Sequence, residues 1–395
     1  MIENGGKHGQ IGIGALYRVG ENWRLVDIPT GLMDEKARTE VGYVLTPAMN
    51  KLPEAPKFAD DGVSEEMQEF MTKVDAIEKK IAAASPREQA ALYDEQTALL
   101  RKMAGNAKSQ KDQFLWIRQL ADTLGTATQT GAYPKGLSKL QELYRELAKQ
   151  SKESELTGYV KYRWMTTNYS MKLQEKDAKF EEIQENWLAQ LEEFVDEFPN
   201  SPDASDAMLQ LAIAEEYAGN EKKALGWYDG IIKQGGAKDL VAKKAQGART
   251  RLTSVGRPIR LAGNTVQGKQ LSIEQLRGRI VLVHYWATWC EPCKDDIRRI
   301  DKLVAQYGGK FMPVGVNLDT DKNKLAAYLK ENRLSWPQLF DSAGLDGGLA
   351  VDLGVLTLPT MILLDEKGNV VNRDASTSDV DDYLDKHLAR QAAKR

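Results

Sequence analysis

The chain has 395 residues, 42% hydrophobic and 28% charged, with a formal net charge of −3. That length holds two or three ordinary domains, and that composition can bury real cores, which excludes a wholly disordered protein. The near-balance of charge, with no long basic run, gives no nucleic-acid footprint, and two cysteines exclude a disulfide-stapled scaffold.

The first ten residues are polar and glycine-rich, without the basic head or apolar run of a secretory signal. As written, the chain is expected to carry no export address. Residues 11–19 and 23–28 are short apolar, β-branched runs separated by Gly20, Glu21 and Asn22. They predict a β-hairpin within residues 1–30. A lone hairpin is marginal in water, so it either docks on the helices or is the remnant of a longer domain. Residues 31–61 are proline-rich and read as a linker. No apolar stretch approaches the roughly 20 residues that span a bilayer; residues 280–283 are typical of the longest.

Residues 62–255 are expected to be all-helical, with about seven or eight helices. Met67, Phe70, Met71, Val74, Ile77 and Ile81 repeat at the spacing of one buried helix face. Ser85, Pro86 and Glu88 form a capping box with proline at the first helical position. Phe114, Ile117, Leu120 and Leu124 make a second stripe, opened by Ser109. Leu137, Leu140, Leu143, Tyr144 and Leu147 make a third, and Trp187, Leu191, Phe194, Val195 and Phe198 a fourth. Tyr159, Tyr162, Trp164 and Tyr169 are either core or a recognition surface. From residue 198 the chain reads FPNSPDASDAMLQLAIAEEYAGNEKKALGWYDGIIKQ, with Leu211, Ala212, Gly219, Ala224 and Tyr228 near tetratricopeptide spacing. Glu215 stands where that pattern is usually aromatic, so this resembles one degenerate repeat. The carboxylates here are spread along solvated helix faces, which favours a binding or dimerising role over catalysis, with a protein partner as the corresponding expectation.

Residues 256–395 alternate strand and helix, which implies an α/β layer sheet. Residues 279–286 (RIVLVHYW) read as a strand buried on both faces. Residues 311–318 read as a second such strand, 321–332 as a helix, 360–365 and 370–373 as a strand pair, and 378–390 as a final helix. Both cysteines lie in Cys290-Glu291-Pro292-Cys293, opening a helix that runs to about Gln306. Two intervening residues on a first helical turn bring two sulfurs within bonding range. Unpaired amides and the positive dipole end stabilise a thiolate at Cys290. Pro292 suits a first turn, where its missing N–H costs nothing. Cys293 can then attack a mixed disulfide formed at Cys290. Two alternatives stand beside this reading. Zinc needs three or four protein ligands, and His284 is the one nearby histidine. A purely structural disulfide would close a loop too short to stabilise much.

GKQLSIEQLRGRIVLVHYWATWCEPCKDDI and the later GVLTLPTMILLDEKGNVV resemble the TlpA/ResA-like branch of the thioredoxin superfamily, over residues 257–388. For these residues the resemblance implies an α/β thioredoxin fold, so the whole reads as a multidomain chain: a short β-hairpin, a TPR-like all-α region, then that fold. It implies thiol–disulfide exchange with Cys290 as nucleophile and Cys293 as resolving thiol. Pro359 matches that family's cis-proline, so Leu358, Pro359, Trp289 and Pro292 are the implied substrate-binding residues. Protein disulfides or thiols as substrates and an upstream electron donor follow; no cofactor is expected. An extracytoplasmic location, in the periplasm or cell envelope, is likewise implied. Two positions depart from the pattern. Asp296 replaces the glutamate of WCxPCxxE, so it is either a proton relay or a helix-surface acid. His284 stands where relatives carry Asp or Asn, and is either a relay for the Cys293 proton or a hydrogen-bonded core histidine. Glu291 and Lys294 act oppositely on a neighbouring thiolate. CEPC resembles branch members that reduce their substrates. A redoxin-type peroxidase would need a Pro-x-x-x-Thr/Ser-x-x-Cys loop, and residues 285–289 lack that proline. An interaction scaffold with an accessory redox domain is the remaining alternative.

Overall fold

The computed structural model describes residues 65–236 and 238–392, with four short strands ahead of them. Those strands pair as two antiparallel hairpins, β1 (Ile2–Asn4) with β2 (Lys7–Gly9) and β3 (Leu16–Val19) with β4 (Asn22–Leu25). The second hairpin is the one expected, with Val19 opposite Asn22 across a shorter turn. The first was not expected, because a polar glycine-rich run carries no strand signal. The rest of the predicted strand runs and the linker at 31–61 lie outside the described residues.

Nine helices follow among the described residues, more than the seven or eight expected. They are α1 (Glu65–Ala83), α2 (Pro86–Asn106), α3 (Gln110–Gln129), α4 (Gly136–Gln150), α5 (Glu155–Leu173), α6 (Phe180–Glu197), α7 (Pro202–Tyr217), α8 (Glu221–Gln234) and α9 (Leu240–Leu252). The chain forms two compact units that divide inside α7, between Met208 and Leu209. In the helical unit, Glu88 accepts from the Ser85 N–H and hydroxyl, closing the predicted box. Ser109 and Ser154 cap α3 and α5 by accepting from the amides of Asp112 and Thr157. The predicted stripes turn inward, with Phe70, Val74, Leu120, Leu124, Leu140, Leu143 and Leu147 in one buried cluster. Trp116 joins them from α3, while Phe114 stays half-buried. Of the aromatic group, Tyr159, Tyr162 and Tyr169 are buried, and Trp164 stacks on Tyr144 at 5.9 Å. They are core rather than a recognition surface.

The second unit carries the end of α7, then α8, α9 and the sheet. Gly219, with φ +76°, turns the chain from α7 into α8, a conformation that L side chains adopt at a cost. A small hairpin, β5 (Ala262–Asn264) with β6 (Gln270–Ser272), precedes the sheet. The five sheet strands are β7 (Ile280–Trp286), β8 (Phe311–Asn317), β9 (Gln338–Phe340), β10 (Thr360–Leu364) and β11 (Val370–Asn372), in the order β11-β10-β7-β8-β9. Strands β7, β8 and β9 run parallel; β10 and β11 run antiparallel to their neighbours. Every residue of β7 is buried, as its unbroken apolar run requires of a central strand. The crossover helices are α10 (Glu291–Tyr307) and α11 (Lys322–Asn332). Successive right-handed crossovers put both on one face of the sheet. Helix α13 (Thr377–Ala392) packs against α10. The short α12 (Gly348–Val351) contacts α9 and takes a hydrogen bond from the Tyr285 hydroxyl to the Leu349 carbonyl, so it covers the opposite face. The hairpin β5–β6, β9 and α12 lacked a sequence signal because each is only three or four residues long.

Candidate active site

Strand β7 ends at Trp286, and three residues later the chain enters α10 with Cys290 as its N-cap. Cys290 has extended backbone (φ −87°, ψ 99°), so its side chain lies over the free amides of the first turn. The Cys293 N–H donates to Cys290 Sγ at 3.2 Å. The two sulfurs are bonded to each other, with Cα atoms 5.3 Å apart. Both cysteines are fully buried. Pro292 sits in the first turn, where no hydrogen bond is lost. Trp289 is half-buried and packs on the domain core. Glu291 and Lys294 pair with each other at 2.5 Å across one turn, so their charges are mutually compensated at the mouth of the helix. Asp296 lies half-buried on α10, three residues beyond Cys293.

The loop before Cys290 is held from below. The Thr288 N–H and hydroxyl donate to the two oxygens of Asp319, at 2.9 and 2.8 Å. Asn317 Nδ2 donates to the same carboxylate at 2.7 Å, and the Leu318 N–H donates to the Trp286 carbonyl at 2.9 Å. Burial raises the Asp319 carboxyl above its usual range, against these hydrogen bonds, which act to lower it. Trp286 Nε1 donates to Gln338 Oε1 at 2.9 Å. Thr288, Asn317, Asp319 and Gln338 were not anticipated. For Thr288, Asn317 and Asp319 the signal available was polar side chains at the carboxyl ends of buried parallel strands, where α/β sheets place their sites; Gln338 opens the three-residue β9 and carried no such signal.

Pairing of β10 with β7 sets Thr360 opposite Tyr285. Pro359, one residue earlier, therefore stands at the edge of the sheet where β7 delivers Cys290. The Leu358–Pro359 bond is cis, and both residues are buried. The Thr360 hydroxyl donates to the Thr357 carbonyl at 2.7 Å.

His284 is in register with Met361 on β10 and Gly315 on β8. Strand alternation puts it on the face of Trp286, whose ring meets Tyr328 of α11 at 5.3 Å. That is also the face of α10. His284 is fully buried, and neither ring nitrogen has a hydrogen-bond partner. Burial alone drives its pKa from 6.5 down to about 3. Among the described residues no protein group bonds the ring, so the two expectations for His284 differ only in whether it serves Cys293. Among the described residues, no group of three or more His, Cys, Asp or Glu is arranged to hold a metal.

A central sheet with a cysteine pair at the start of the helix after its middle strand, facing a proline that precedes an antiparallel strand, defines a thioredoxin-like domain. Comparison with known proteins agrees. Residues 255–373 match the AhpC/TSA family. The chain is 33% identical over 107 residues to the thioredoxin-like protein YneN of Bacillus subtilis, covering 26% of this chain and 61% of that protein. It is 27% identical over 126 residues to the thiol-disulfide oxidoreductase ResA of Bacillus thuringiensis, covering 31% and 70%. It is 33% identical over 125 residues to the thiol:disulfide interchange protein DsbE of Yersinia pestis, covering 31% and 64%. A solved thiol-disulfide oxidoreductase from Bacteroides fragilis is 30% identical, covering 32% of this chain and 96% of that one, at a TM-score of 0.31. The carboxy-terminal third is therefore similar to thiol-disulfide oxidoreductases of the thioredoxin superfamily. No described helix is long and apolar enough to cross a membrane.

Proposed function

We propose that the chain catalyses thiol–disulfide exchange on protein disulfides, acting as a reductant through Cys290 and Cys293. The observation that carries this is Cys290 at the N-cap of α10, bonded to Cys293 and accepting its amide hydrogen. In the reduced state, the same amides and the helix dipole favour a thiolate at Cys290. That thiolate attacks a substrate disulfide, forming a mixed disulfide and expelling one substrate thiolate. Cys293 loses its proton and attacks Cys290 Sγ, expelling the second. Two electrons pass to the substrate, and the Cys290–Cys293 disulfide awaits an upstream thiol donor.

Trp289, Pro292, Leu358 and Pro359 supply the surface against which a substrate chain lies. His284, neutral and on the α10 face, is one relay candidate for the Cys293 proton; burial makes it a weak base, so it serves only in concert with the attack of the Cys293 sulfur. Asp296 is the second relay candidate, and the Glu291–Lys294 pair tunes the thiolate. Residues 256–395 carry the redox chemistry in this reading, and residues 62–255 offer a partner protein a helical support. Resemblance to the TlpA/ResA-like branch supports an extracytoplasmic site of action, in the periplasm or cell envelope. The segment before Cys290 lacks the proline of a peroxidatic loop, which favours exchange over peroxide reduction.

The test is insulin reduction by the dithiothreitol-reduced chain, with the potential of the cysteine couple measured against glutathione. Wild-type protein should turn over, Cys290→Ser should lose at least about a hundredfold, and Cys293→Ser should accumulate a mixed disulfide. Insulin reduction that survives Cys290→Ser would end this reading.

A further inference from the structure

Arg251, in the last turn of α9, is only 6% exposed. Its Nε donates to the Leu353 carbonyl at 3.1 Å, and Nη2 to the Gly354 carbonyl at 3.3 Å. Nη1 and Nη2 both bind the Glu216 carboxylate of α7, the latter at 3.1 Å. The Tyr228 hydroxyl of α8 donates to Glu216 at 3.0 Å. Burial acts to raise the Glu216 carboxyl, but the Arg251 charge and hydrogen bonds outweigh it and hold the group below its usual range. The guanidinium is thus a paired ion with donors left over for main chain.

The contact is tight on both sides. A Cβ on Gly247 of α9 would strike the Val351 carbonyl and the Gly354 amide; one on Gly354 would strike the α9 backbone at Ala248. Lys244, also buried, reaches Asp346 at 2.5 Å. A buried ion pair is seldom the most stable filling for such a space, since apolar side chains of equal volume do as well or better. What an apolar residue cannot do is bond the two carbonyls just past α12, which no helical amide satisfies. Those carbonyls belong to the segment that reaches Pro359 five residues after Gly354.

We propose that Arg251 is a positioning residue: anchored by Glu216, it fixes the turn at Leu353 and Gly354 and so sets where Leu358 and Pro359 stand beside Cys290 for an incoming polypeptide. The inference rests on the exchange reading above and deepens it. It gives α7, α8 and α9 a task in substrate recognition by the redox site. A protein substrate needs that edge of backbone; a small disulfide needs only the sulfur.

The test compares the full chain with Arg251→Lys, which keeps the charge and loses the fork, and with Glu216→Gln, which weakens the anchor. The probes are insulin and 5,5′-dithiobis(2-nitrobenzoate). For Arg251→Lys, the insulin KM should rise about fivefold or more, while the small-disulfide rate and insulin kcat change less than about twofold. Glu216→Gln should move the same KM in the same direction, and it carries the test if Arg251→Lys does not fold. The potential of the cysteine couple should be unchanged in both. Equal losses on both probes, or an unmoved insulin KM, would overturn the role. Wild-type protein that reduces neither probe would instead remove the exchange reading, and this role with it.

Discussion

Thr288 gives both of its donors to one carboxylate, that of Asp319, across the gap between the ends of β7 and β8. With Asn317 Nδ2, three donors converge on two oxygens, a demand an ionised carboxylate meets and an amide does not. The loop that aims Cys290 into α10 is thereby tied to the neighbouring strand.

Asp319→Asn should accordingly destabilise the carboxy-terminal domain by about 1–3 kcal/mol, since at least one buried donor is left unpaired. It should also slow alkylation of reduced Cys290, because the sulfur is no longer held over the helix amides. Urea melts and iodoacetamide kinetics check the two effects. A stability loss with unchanged alkylation would confine Asp319 to folding.

His284 makes stability depend on acid. Its folded pKa of about 3 lies below the ordinary 6.5, so the unfolded chain binds the proton more tightly. The contribution of the neutral ring is complete above pH 6.5 and is lost as pH falls toward 3. Between pH 7 and pH 5 wild-type protein should lose about 2 kcal/mol on this account. His284→Leu should lack that loss and, having no unpaired ring nitrogens, be more stable at neutral pH by about 1–3 kcal/mol. The same variant should slow resolution of the mixed disulfide. Identical acid sensitivity in the two proteins would assign it to other groups.

In the helical unit, Arg163 is the keystone of a buried network. It bonds Asp122 and Asp203, each at 3.1 Å, and lies 4.2 Å from the Tyr159 ring centroid. The Tyr159 hydroxyl donates to Asp122 at 2.6 Å. Arg163→Met should cost about 3–5 kcal/mol, because two carboxylates are left without their cation. Removing the two stranded charges with Asp122→Asn and Asp203→Asn in the same chain should recover part of it. A double-mutant cycle with no coupling would show the network to be incidental.

Gly247 and Gly226 are both helical glycines, and their alanine variants should move stability in opposite directions. Gly226 on α8 faces open space, so alanine should gain about 0.5–1 kcal/mol from helix propensity. At Gly247 a methyl meets main chain on the facing turn, which cannot rotate aside, and overpacking should cost about 1–3 kcal/mol or more. Thermal melts of the two variants decide the matter.

What the sequence determined by itself is local. Ile280 to Trp286 read as a buried strand, Cys290 and Cys293 as sharing the first turn of the next helix, and the stripes of the helical region named part of its core. These follow from periodicity, capping and spacing, which act over a few residues and leave core members such as Leu100, Met103, Tyr133 and Val160 unnamed. Tertiary structure alone decided the rest. Three-residue strands such as β9 exist because a neighbour supplies their hydrogen bonds. The Leu358–Pro359 isomer depends on what surrounds it. Asp319 gained its task from a loop 31 residues away, and Arg251 from carbonyls about a hundred residues on. His284 differs again: its place in the strand was legible, but its lack of any partner is a property of the packed interior, where every neighbour had to be known before the ring could be seen to stand alone.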